Sequence, residues 1–91
     1  MMTEEQIQNV ISDFNDSGLT CRVIFRFPFP RFEISHRMET YHLYFYRPTN
    51  LWNLEYRNHE SLGIFYSREN IVDRCLKLIG CLDEISNNNP R

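Results

Sequence analysis

The chain of 91 residues contains no alanine, one lysine, three glycines and three cysteines, and each shortage excludes something. With glycine only at positions 18, 63 and 80, no glycine-rich loop is available to cradle a phosphate. Cys21, Cys75 and Cys81 are odd in number and lack a C-x-x-C spacing, which argues against a disulfide framework or a zinc site of the usual kinds. His36, His42 and His59 include no pair at the i, i+4 helical spacing of a metal site. No apolar run approaches the ~20 residues of a membrane span. The first residues are acidic and amide rather than basic and apolar, unlike a signal peptide. The expectation is a soluble, cytoplasmic protein.

The missing alanine, together with nine asparagines, hints at an AT-rich coding sequence of the kind a phage or mobile element carries. Arginine outnumbers lysine nine to one. Arginine makes planar, bidentate and stacking contacts that lysine does not, and it is enriched at recognition surfaces. The net charge of −2 is unevenly spread. Residues 1–18 carry Glu4, Glu5, Asp13 and Asp16 without a base, whereas residues 19–66 carry six arginines against four glutamates. So small a net charge speaks against a strong nonspecific nucleic-acid binder, although the middle segment is locally basic.

What is abundant is aromatic. Twelve of thirteen aromatic residues lie between Phe25 and Tyr66, in a stretch that alternates apolar and polar. Two segments of helical period bracket it, Thr3–Asn15 and Ser67–Ile85. Thr3 and Gln6 form a capping box, Ile7, Val10, Ile11 and Phe14 make one stripe, and Gly18 is the expected stop. Between the helices the period is two. Leu19, Cys21, Val23, Phe25 and Phe27 share a face, followed by Phe32, Ile34 and His36, then Tyr41, Leu43 and Phe45, then Trp52, Leu54 and Tyr56, and last Leu62, Ile64 and Tyr66. Turns at 28–31 and 37–40 and a loop at 46–51 predict Phe25 opposite Ile34, Ile34 opposite Leu43, and Leu43 opposite Leu54. In the second helix Ile71, Cys75, Leu78, Leu82 and Ile85 form a stripe that Val72, Leu76 and Ile79 widen. Ser67 is its expected cap, Gly80 is a point of close approach to the sheet, and residues 86–91 read as a frayed tail.

These patterns predict one α+β domain over residues 1–85. It is a two-layer sandwich with the N- and C-terminal helices on one face of a four- to five-stranded antiparallel meander. The chemistry then narrows. The cysteines sit in apolar patterns, where a thiol packs as a small hydrophobe. Only Cys21 and His36 share a hairpin face as a thiol and a histidine must for nucleophilic catalysis. No inward carboxylate pair is present, so neither an enzyme nor a cofactor or metal site is expected. The feature that asks for a role is the uncovered sheet face, with Arg22, Ile24, Arg26, Arg31, Glu33, His42, Tyr44, Tyr46, Glu55, Arg57 and Phe65, and Arg47 beside the loop. Arg22, Arg26, Arg31, Tyr44, Tyr46, Arg47 and Arg57 are the candidate partner-binding residues, because tyrosine and arginine dominate interface energetics. A protein partner fits the mixed charge. The alternative is single-stranded nucleic acid, stacked on tyrosines and paired with arginines. A small interaction module follows, in the manner of an inhibitor of a larger host complex, and an edge strand leaves room for a homodimer.

Overall fold

The computed structural model describes residues 2–26, 28–46, 48, 51–56, 60–65 and 71–88, with side chains at 60, 65 and 81–88 outside the described set. Helix α1 (Glu4–Asp16) opens with the expected capping box: the Gln6 N–H donates to Thr3 Oγ1 at 3.1 Å, and the Thr3 N–H donates to Gln6 Oε1 at 2.8 Å. Two of the four orphan donors of a helix start are thereby satisfied. Gly18, at φ +90°, reverses the chain after the helix, a left-handed conformation that costs glycine little. Strands β1 (Thr20–Phe25), β2 (Arg31–His36), β3 (Glu39–Tyr46), β4 (Leu51–Tyr56) and β5 (Glu60–Phe65) follow. They form one antiparallel sheet in the order of the sequence. Helix α2 (Ile71–Asn88) closes the chain. It runs through the start of the stretch read as a tail, and the Ser67 cap lies outside the described residues.

One core joins both helices to one sheet face. Ile7, Val10 and Phe14 of α1 and Cys75 and Ile79 of α2 are buried with Cys21, Phe32, Ile34, Tyr41, Leu43, Trp52 and Leu54. Ile71, Val72, Leu76 and Leu78 pack on its margin, while Leu82 and Ile85 have side chains outside the described set. The α+β sandwich expected from periodicity is the fold. Rings organise its middle: Phe45 and Trp52 stand 5.5 Å apart, and Tyr41 stacks on Tyr56 at 5.3 Å. Tilted and offset pairs of this kind add to what burial alone gives.

Register departs from expectation in three places. The β3–β4 ladder pairs Leu43 with Leu54 and Phe45 with Trp52, as the pattern required. In the first hairpin, however, Phe32 faces Val23 and Ile34 faces Cys21. Pro28 and Pro30 lie in the connection between the strands, Phe29 places its ring 5.2 Å from Phe45, and Pro30 is fully buried. The connection thus packs into the sandwich and shortens the ladder. The β2–β3 turn holds only Arg37 and Met38, at φ 50° and 66°, so Phe32 faces Leu43 and not Phe45. Two positive-φ residues make a primed turn, whose twist suits the flanking strands even without glycine. His36 consequently pairs with Glu39 rather than Tyr41. Both slips are even, so most side chains keep their faces.

Two bulges do change faces. Between Val23 and Phe25 the ladder slips, and Phe25 lands opposite Arg31, on the uncovered side, where it is 60% exposed. Phe25 was expected in the core; the extra residue reverses its direction. Phe27 lies outside the described residues. Between Leu54 and Glu55 a second slip sets Gly63 opposite Leu54 and Ile64 opposite Asn53. Ile64 is therefore 59% exposed instead of buried, and Phe65 pairs with Trp52. Tyr66 lies outside the described residues.

Close helix approach belongs to Gly63, not Gly80. A Cβ on Gly63 would lie 2.6 Å from Leu78 Cδ1, whereas one on Gly80 would meet nothing within 4 Å. Gly63→Val should therefore destabilise the fold by about 1–3 kcal/mol through overpacking. Gly80→Ala should stabilise it by up to about 1 kcal/mol through helix propensity. Urea unfolding of the two variants checks both, and equal effects would contradict the assignment.

Candidate functional site

The uncovered face is built from two adjacent rows of side chains. The first runs across the strands as Arg22, Glu33, His42, Glu55 and Ser61, and the second as Phe25, Arg31, Tyr44, Asn53 and Ile64. Beyond the second row, Tyr46 pairs with Leu51, and Tyr46 is 52% exposed. Period-two alternation places these polar residues opposite the buried set.

The first row and the centre of the second form a continuous polar network. Arg22 Nε donates to Glu33 Oε1 at 2.7 Å. The second Glu33 oxygen lies 3.6 Å from His42 Nε2. Arg31 Nη2 reaches His42 Nδ1 at 3.4 Å and Glu55 Oε1 at 3.6 Å. A guanidinium can only donate, so Nδ1 accepts, and a neutral His42 carries its proton on Nε2, toward Glu33. A second chain runs in one direction: Ser61 Oγ donates to Asn53 Oδ1 at 2.6 Å, Asn53 Nδ2 to Tyr44 Oη at 2.8 Å, and Tyr44 Oη to Glu55 Oε2 at 2.9 Å. Over this chain the Arg31 guanidinium stands 4.7 Å from the centre of the Tyr44 ring, within cation–π range. Burial first, and the Glu55 carboxylate after it, push the Tyr44 phenol up and keep it a donor.

Of the expected partner-binding residues, Arg22, Arg31, Tyr44 and Tyr46 are brought together on this face. Arg26 is not. The bulge that turns Phe25 outward sends Arg26 toward α1, where Nε and Nη2 grip the Glu4 carboxylate at 2.9 and 3.0 Å. The pair ties the end of β1 to the first turn of α1 and removes Arg26 from the candidate site. Arg47 and Arg57 lie outside the described residues, as does His59. Phe25 and Ile64 belong to the face although alternation assigned them to the core. No residue type marks the first bulge, whereas the second adjoins Gly63, an isolated strand glycine of the kind that signals one.

The remaining chemistry is muted. Burial pushes the Cys21 and Cys75 thiols up to about 12, far from the thiolate that nucleophilic or redox work requires. Cys21 lies opposite Ile34 rather than His36, and the Cys81 side chain is outside the described set. Among the described residues no three His, Cys, Asp or Glu side chains are grouped to hold a metal, and no helix is long and apolar enough to cross a membrane.

Arg22 holds the Glu33 carboxyl below the ordinary range, chiefly by its hydrogen bond. The sign is that of a carboxylate stabilised in its charged form. The contribution is present above the unfolded-state pKa and is lost as pH falls through the lower folded-state value. In an NMR titration the Glu33 carboxyl should thus titrate below the ordinary glutamate range, and Arg22→Gln should move it back up. Because Arg22 is well exposed, the change in folding stability should be slight.

Comparison with protein-family models, with curated proteins and with solved structures finds no match to this chain.

Proposed function

We propose that the protein is a non-enzymatic interaction module that binds another protein through the uncovered sheet face. The observation that carries this reading is the outward Phe25. A bulge turns a large aromatic side chain to the surface, where Tyr46 and Ile64 on the same face are also more than half exposed. Large exposed apolar groups around a polar, partly buried centre resemble the anchors and hydrogen-bonded groups of a protein interface. High thiol pKa values in the core support a binding role over catalysis. An inhibitory action on a larger host assembly, encoded by a phage or mobile element, is the biological setting we propose, on the grounds of size and composition. A cytoplasmic location fits that setting.

The runner-up, single-stranded nucleic acid, needs cations free to meet phosphates. On this face Arg22 and Arg31 are each set against a carboxylate, and Arg26 is engaged with α1. Among the described residues of the network, Arg22 and Arg31 stand against Glu33 and Glu55, which favours a protein partner of mixed polarity.

The test pairs binding with folding. Phe25→Ser with Tyr46→Ser should abolish retention of a specific host protein by the immobilised chain, a loss of about 2 kcal/mol or more. Its melting temperature should stay close to that of the parent, because both side chains are exposed. Arg26→Ala should leave retention intact. Fluorescence anisotropy with labelled single strands should show no binding in the micromolar range at physiological salt. Tight binding that weakens linearly with the logarithm of salt would replace this reading by the nucleic-acid one.

A further inference from the structure

His42 stands in the middle of the outer-face network, among charges of both signs. Its cross-strand partners are Glu33 on β2 and Glu55 on β4. Arg31 reaches it from β2, Arg22 of β1 stands on the far side of Glu33, and Tyr44 of its own strand lies under the Arg31 guanidinium. Among the described residues these are the charged and titratable groups beside the ring, since both helices pack on the other face of the sheet. A neutral imidazole has one N–H and one lone pair. In His42 the N–H is on Nε2, 3.6 Å from Glu33 Oε2, and the lone pair is on Nδ1, 3.4 Å from Arg31 Nη2. A proton taken up by the ring must therefore enter at the atom that the guanidinium occupies. Proton and Arg31 compete for one lone pair.

We propose that His42 is a pH-sensitive switch that decides whether Arg31 is held within the outer face or released from it. Histidine is the side chain that ordinarily changes charge between about pH 5 and 8. With the ring neutral, Arg22 and Arg31 are matched by Glu33 and Glu55, and the Arg31 guanidinium is fixed over Tyr44. With the ring protonated, two donors and two positive charges face each other across the 3.4 Å contact, which opens. On the other side Nε2 and Glu33 become an ion pair. The new Nδ1–H turns to Glu55, the partner across the β3–β4 ladder, and Arg31 swings off the Tyr44 ring into solvent. Its side chain is already partly exposed and lies outside the core, so little packing opposes the move. The face then presents a free cation between Phe25 and Tyr44, its register neighbours, while the apolar margins stay where they are. A local change of charge is thereby read out as a change of surface.

The isotope-labelled protein alone is the sample. Long-range nitrogen–proton NMR correlations should show His42 with its proton on Nε2 at about pH 8 and on both nitrogens at about pH 5. Over the same titration, nuclear Overhauser contacts between the Arg31 side chain and the Tyr44 ring should be lost, with the midpoint of His42. His42→Gln offers Arg31 a neutral acceptor that takes up no proton. In it those contacts should persist throughout, although His36 and His59 are still present. Arg31→Gln should leave His42 titrating and quench most of the response of the Tyr44 ring. Both substitutions fall on partly exposed side chains, so the fold should persist, as the amide spectra will report. A proton on Nδ1 of neutral His42, Arg31–Tyr44 contacts that survive acidification, or the same loss in His42→Gln would each overturn the proposal. No partner is required, so the result is read separately from whether the outer face binds one.

Discussion

Two helices can cover only one face of a five-stranded sheet, and that coverage is what the rest of the molecule is arranged around. Ile34, Tyr41, Leu43 and Leu54 turn the centre of the sheet toward Phe14, Cys75 and Ile79, and the strands hold together against this shared apolar surface. Burial at roughly 25 cal/mol per Å² makes that contact the main source of stability in a chain this small. The polar face is its complement: everything that alternation withholds from the core must find partners in the plane of the sheet. Arg31 and Glu55 do so across the sheet centre, with Tyr44 donating to one and lying beneath the other.

The polar network and the helix cover also divide the arginines into different physical roles. Arg22 is a surface partner of Glu33, Arg31 is a half-buried hub, and Arg26 is a clasp between layers. Exposed ion pairs contribute little singly. Their effect here is directional. They occupy the middle of the face, while Phe25, Tyr46 and Ile64 stand exposed at its margins.

Much of this was legible in the sequence because period and face survive errors of register. Element order, the capping box of α1, the meander and the central β3–β4 pairing follow from spacing alone. The slips of the first two hairpins were hidden because turn length depends on how the connection packs. Phe29 on Phe45 and a primed turn without glycine at Arg37 and Met38 carry no short-range signal. Bulges are harder still. They invert a face, and with it the assignment of Phe25, Arg26 and Ile64, while leaving composition unchanged. Arg22, Arg31, Tyr44 and Tyr46 could be placed because no bulge intervenes at their positions.

The meander order has a consequence for how the chain reaches this state. Every strand pairs with its neighbour in sequence, so each hairpin can close over a short loop at small entropic cost. Such local topology favours rapid folding and spares the sheet a slow search for distant partners. The contact of greatest sequence separation is that of α1 with α2, which closes the helix layer over the meander. Full cover of the inner face therefore depends on one non-local contact, whereas every strand pairing beneath it is local.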